Sequence, residues 1–217
     1  MRPLHERFLA GIAEERQRLA TRRGFLAGSA KLAGGGALAL AVGGGLGIRR
    51  FASAQELASD LDVLNYALTL EHLENSFYRD GLDAIGDAFD GGVFDNLAVI
   101  GDHEAAHVVA LTDTITQLGG DPVPEAEYDF GDAFDDPDAF LATAMALENT
   151  GVRAYDGAGQ FLTDTGLLTV AGGIVAVEAR HASYLNELNG EVPFPSAFED
   201  PATPAEILEI AGPFIVS

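Results

Sequence analysis

Cysteine is absent from all 217 residues. That excludes disulfides, thiolate-held metals and a lipid-modified cysteine behind a signal segment. Positive charge is almost as scarce over most of the chain. Residues 1–54 carry nine of the twelve Lys and Arg against three Glu, whereas residues 55–217 carry only Arg79, Arg153 and Arg180 against 31 Asp and Glu. A balance of −28 over that second region repels phosphate backbones and anionic headgroups, so nucleic acid and anionic membrane are excluded as partners. It suits a soluble protein able to work at high ionic strength, where self-repulsion is screened. Also missing beyond residue 54 are an apolar run approaching 18 residues and any sustained strand-like alternation. An all-α chain remains.

The basic first region has a pattern of its own. TRRGFLA (Thr21–Ala27) pairs two arginines with Phe-Leu, an uncharged apolar run follows from Leu32 to Ile48, and Ala52-Ser53-Ala54 forms an A-x-A cleavage box. This order resembles a twin-arginine export signal. A membrane anchor fits less well, because the 17-residue run contains seven glycines and is short and weakly apolar for a span. The expectation is a signal region at 1–54 cleaved near Ala54, with the mature protein beyond the cytoplasmic membrane: periplasmic, cell-surface or extracellular. Membrane contact is then confined to the signal region.

Four later segments place apolar residues at helical spacing: about 57–82, 96–118, 137–162 and 165–188. DGGVFDN (Asp90–Asn96) breaks the first from the second, and Gly119-Gly120 stops the second. The 16 residues 121–136 are long for a connection inside a compact domain and are expected to cross the length of a bundle. Asp136-Pro137 has the form of an N-cap and first helical residue. Gly151, Gly157 and Gly159 suggest a flexible third helix. The prediction is a four-helix bundle over 55–190 with a long crossover between its second and third helices. A tail at 191–217 follows, rich in proline, with one short helix opened by a capping box at Thr203–Glu206.

The bundle repeats its polar residues. Glu71 is followed seven residues on by Tyr78 and then by Glu104-x-x-His107; Glu148 is followed seven on by Tyr155 and then by Glu178-x-x-His181. All six Glu and His fall on the apolar stripes of their helices. Buried uncompensated carboxylates cost several kcal/mol each, and three arginines are too few to neutralise the site. Two divalent cations cancel four carboxylates, and iron or manganese favours this mixture of carboxylate oxygen and imidazole nitrogen. Glu74, one turn after Glu71, is a further carboxylate able to replace or supplement it.

His103–His107 also spells the H-E-x-x-H of zinc metalloproteases. That reading leaves the second Glu-x-x-His unexplained. It puts Ala110 and Asp113 where an extended motif needs Gly and His, and offers as third ligand only Glu125, in a Pro-rich loop. His103 also lies off the stripe of Ile100, Glu104, His107 and Leu111.

Taken with LNYALTLEHLENSFY (Leu64–Tyr78), the duplicated motifs are similar to those of the ferritin-like superfamily, in particular its exported bacterial and archaeal branch, over Leu61–Leu188. The resemblance implies a di-metal carboxylate site holding two Fe ions, with Mn as the alternative. Glu71 and Glu148 would be single-Glu ligands, Glu104 and Glu178 bridging or chelating ligands, and His107 and His181 terminal nitrogens. Tyr78 and Tyr155 would lie beside the metals as catalytic candidates. It further implies redox chemistry on Fe(II) with O2 or hydrogen peroxide, by a ferroxidase or a peroxide-consuming oxidoreductase. A homo-oligomer is required only if iron is stored. Alternatives are a metal-free structural or stress-related module and a manganese-catalase-like enzyme.

Overall fold

The computed structural model describes residues 57–216; the export-signal reading falls on residues 1–54, outside the described residues. Residues 57–193 and 200–216 belong to one compact unit, while 194–199 is grouped apart from it. Five α-helices account for most of that unit: α1 (Asp60–Ile85), α2 (Gly91–Gln117), α3 (Pro137–Ala158), α4 (Thr165–Leu188) and α5 (Pro204–Ala211). Among the described residues there is no strand, only one antiparallel bridge between Tyr128 and Ile215.

Each of these five α-helices starts on a side-chain cap. Ser59, Asp90, Asp136, Asp164 and Thr203 each accept a hydrogen bond from a first-turn backbone N–H of α1 to α5 in turn, and each cap contributes about 1 kcal/mol. At α5 the box is complete, with the Glu206 carboxylate returning to the Thr203 N–H at 2.7 Å. Asp90 also corrects the sequence reading of DGGVFDN. Its Oδ1 receives the N–H of both Gly92 and Val93 at 3.0 Å, so the glycine pair forms the first turn of α2 rather than a break. At the other end Gly119 takes φ +78° and Gly120 N–H reaches back to the Ile115 carbonyl at 2.9 Å, a Schellman closure.

The crossover between α2 and α3 runs along α1 from its beginning to its end. Gly120 abuts Leu61, Val123 N–H donates to Asn65 Oδ1 at 2.7 Å, and His72 Nε2 donates to the Val123 carbonyl at 3.2 Å. Glu125 then receives Ser76 Oγ and Arg79 Nη1, and Phe130 and Phe134 pack against Phe77, the first edge-on and the second tilted. This path delivers α3 antiparallel to α1. Phe140, in the first turn of α3, packs on Gly81 near the end of α1, and Thr163 beyond α3 bonds Asp60 at the start of α1.

Along each bundle helix the core is apolar, then polar, then apolar again. One apolar layer contains Phe77, Leu97, Phe140 and Leu185; the other contains Leu68, Leu111, Ile115 and Ile174. Between them lie the buried Glu and His residues. The expected flexibility of α3 is replaced by close contact at two glycines. A Cβ on Gly157 would stand 1.8 Å from the Ala202 carbonyl oxygen, where Ala202 N–H bonds the Arg153 carbonyl. The tail docks there on bare backbone, and Ile207 of α5 is fully buried. Gly151 faces the polar layer.

Candidate metal centre

Each of α1 to α4 lends one face to the polar layer, because the apolar stripe that buries it carries a carboxylate in mid-helix. Glu71, Glu104, Glu148 and Glu178 are all 0% exposed. The structure brings all six predicted Glu and His residues together and sorts them into two overlapping groups. Glu71, Glu104, His107 and Glu178 offer oxygen and nitrogen atoms that lie within 4.8 Å of one another; so do Glu104, Glu148, Glu178 and His181. Glu104 and Glu178 belong to both.

Each imidazole turns Nδ1 inward to a hub of carboxylates. His107 Nδ1 lies 3.2 Å from Glu71 Oε2, 3.1 Å from Glu104 Oε2 and 3.1 Å from Glu178 Oε1. His181 Nδ1 lies 3.0 Å from Glu104 Oε1 and 3.2 Å from Glu148 Oε2. Glu104 therefore gives one oxygen to each group. The two tyrosines cross between the halves: Tyr78 Oη donates to Glu148 Oε1 at 2.7 Å, and Tyr155 Oη donates to Glu71 Oε1.

Burial raises the pKa of Glu71 and Glu148, and that of Glu178 to about 8, with neighbouring carboxylates adding to the effect. Burial also acts on Glu104, but hydrogen bonds from His107 and His181 outweigh it and hold Glu104 down at about 2. Burial opposes charge on the imidazoles, yet hydrogen bonds with Glu104, Glu178 and Glu71 raise His107 to about 12, and those with Glu104 and Glu148 raise His181 to about 10. The cluster thus holds protons wherever it holds no other cation. Among the described residues no arginine relieves it: Arg79 pairs with Asp80 and Glu125, Arg153 Nε donates to the Asp200 carbonyl, and Arg180 is exposed.

The donor set fits a cation better than it fits protons. One N–H at His107 faces three carboxylates, and Glu104 Oε1 with both oxygens of Glu178 are buried without an aligned hydrogen bond. Buried acceptors of this kind are rare unless something fills them. A small apolar pocket, partly open to solvent, lies between the helices and is lined in part by Leu64, Leu111, Leu167, Ile174 and Tyr155. The Tyr155 ring thus separates it from Glu71.

Residues 59–191 match the ferritin-like domain family. The chain belongs to that family. A comparison with curated proteins finds no match. In this ferritin-like domain the all-α bundle and the long crossover agree with the sequence expectation.

Two residues at the centre escaped full recognition in sequence. Glu74 is 3% exposed and points at Gly151, so it lies inside with the others. His103, read as off the stripe, stands at the rim with its Nδ1 2.9 Å from His181 Nε2 and the rings nearly parallel at 15°. That contact separates it from His107 and divides the protease-like string between two partners.

Proposed function

We propose that this ferritin-like protein holds two metal ions, iron in preference to manganese, and carries out redox chemistry on Fe(II) with O2 or hydrogen peroxide after export from the cytoplasm. The observation that carries the reading is the pair of four-residue groups sharing Glu104 and Glu178, with buried carboxylate oxygens left without a well-aligned hydrogen bond. Glu71 and His107 would complete one position and Glu148 and His181 the other. Two redox metals bound there would supply electrons to a dioxygen or peroxide molecule.

The protein's own residues prepare that chemistry in three ways. His107 and His181 would present Nδ1 as a nitrogen donor, and at His181 the neighbouring His103 Nδ1 would accept a hydrogen bond from Nε2–H, holding the tautomer that leaves Nδ1 free. Tyr78 and Tyr155 hold Glu148 and Glu71 by hydrogen bonds from the far side, which orients the carboxylates and leaves two phenolic protons beside the centre. The apolar pocket ending at Tyr155 favours entry of a small apolar molecule such as O2 over ions. Protons displaced from Glu71, Glu148 and Glu178 when a cation enters leave the layer near neutral.

The test is an anaerobic Fe(II) titration followed by exposure to O2 or to hydrogen peroxide. About two Fe per chain, oxidised faster than in buffer, is the expected result. No bound metal would leave the metal-free structural module; bound manganese with peroxide disproportionation would move the reading to the catalase-like alternative. One zinc with peptide cleavage would restore the protease reading. Export rests on Arg22-Arg23, the apolar run and Ala52–Ala54. Arg22→Lys with Arg23→Lys is expected to retain the protein in the cytoplasm, and unchanged export would overturn that part.

A further inference from the structure

The duplicated halves differ where their repeats should match. Three residues after Glu71 stands Glu74; three residues after Glu148 stands Gly151. The structure places these two non-equivalent positions face to face. A Cβ on Gly151 would lie 2.9 Å from Glu74 Oε1 and 3.3 Å from Glu178 Oε2, so even an alanine there crowds two carboxylates. Gly in mid-helix is less favourable than Ala, and what that glycine gains is room for the Glu74 head. Glu74 is 3% exposed and no described residue gives it a hydrogen bond. Burial pushes its pKa well up, with Glu178, Glu148, Glu104 and Glu71 adding to the effect. A buried carboxylate with four like neighbours and no donor is costly unless a cation meets it.

Building on the two-metal reading, we propose that Glu74 is a fifth carboxylate donor of the centre, admitted by Gly151 and lying beside Glu178 on the α3 side. Five carboxylates bring −5 where four bring −4. Two divalent ions leave the five-carboxylate set at −1 and two trivalent ions leave it at +1, so the extra charge favours the oxidised pair and tightens retention of either. The symmetric four-Glu, two-His set lacks this bias.

The experiment compares wild type with Glu74→Gln, Glu74→Ala, Gly151→Ala and the double variant Glu74→Ala/Gly151→Ala. Three properties are measured: Mn(II) affinity by anaerobic dialysis, the midpoint potential of iron-loaded protein, and Tm with and without Mn(II). Glu74→Gln is expected to weaken Mn(II) binding roughly 10- to 100-fold, to move the midpoint potential upward and to raise the metal-free Tm, since it removes a buried charge-bearing group. A merely structural role predicts the opposite for that last readout, a fall in Tm with and without metal alike. Gly151→Ala is expected to reproduce the affinity loss by crowding Glu74. With Glu74 already shortened to alanine, the methyl group of Ala at 151 should add little further loss, a non-additivity that marks the two positions as coupled. Wild-type affinity and potential in Glu74→Gln, or wild-type affinity in Gly151→Ala, overturns the proposal while leaving the two-metal reading intact. Wild-type protein that binds neither Mn(II) nor Fe(II) overturns both. Should Glu74→Gln fail to fold, the cycle of Glu74→Ala, Gly151→Ala and their double variant decides the matter, and additive losses overturn the proposal.

Discussion

The α1–α2 half and the α3–α4 half contribute the same types of residue to the centre. Each gives a lone Glu, a Tyr seven residues on and a Glu-x-x-His, and each tyrosine reaches across to the lone Glu of the other half. What surrounds that common set is not the same. The first half adds Glu74 and His103; the second has Gly151 and Val177 in their places. Duplication thus accounts for the donors, while the departures from it give the two positions unlike surroundings. The lesson is that symmetry in a motif need not mean equivalence of the sites it builds.

The largest effects should come from the residues the halves share. Glu104→Ala or Glu178→Ala is expected to remove nearly all bound metal, measured by elemental analysis of purified protein, because each belongs to both groups. Glu71→Ala and Glu148→Ala are expected to remove about one of two ions each; a complete loss from either would break the picture of two separable positions. A smaller, graded effect is expected with pH. The buried carboxylates hold protons in the folded metal-free chain that the unfolded chain releases near its ordinary carboxylate pKa, and Glu178 holds its proton to about 8. The folded state therefore binds more protons, and its stability falls as pH rises from about 5 to 8. His107 and His181 act in the same sense above their ordinary pKa, and Glu104 acts oppositely only in acid. Tm of the metal-free protein should drop across that range, whereas Mn(II)-loaded protein should show no such drop, because the cation has replaced the protons. Parallel curves would count against metal at these groups. The smallest effect is expected from His103→Ala, which should weaken one of the two ions about 10-fold and spare the other. Equal weakening of both would remove the asymmetry assigned to His103.

Much of this could be read from the sequence, for reasons that particular residues make plain. Glu104, His107, Glu178 and His181 were recognisable because a pair three residues apart on an apolar stripe has one direction to face. Glu71 and Glu148 followed from the seven-residue spacing to tyrosine. Glu74 was visible as a carboxylate, but its depth depends on the missing side chain at Gly151, seventy-seven residues away, and helical periodicity carries no such information. His103 lies off the stripe of α2, as read, and is exposed; its contact with His181 was not legible, because the stripe of α2 alone does not report how α4 flanks it. The glycines misled in both directions. Gly91 and Gly92 look like a break, yet Asp90 caps them into α2, and Gly157 looks like slack, yet it is a seat for the chain at Ala202.

The sharing of Glu104 and Glu178 has a consequence for the order of folding. Each four-donor group takes at least one member from the opposite hairpin, so neither hairpin holds a full set by itself. The crossover must first close a long loop and bring α3 against α1, a contact far apart along the chain and therefore late and slow to form. On the proposed two-metal reading, capture of a cation would report that both hairpins have docked. It would tie the folded state to metal supply by mass action, and a chain stalled at one hairpin would have nothing comparable to hold it.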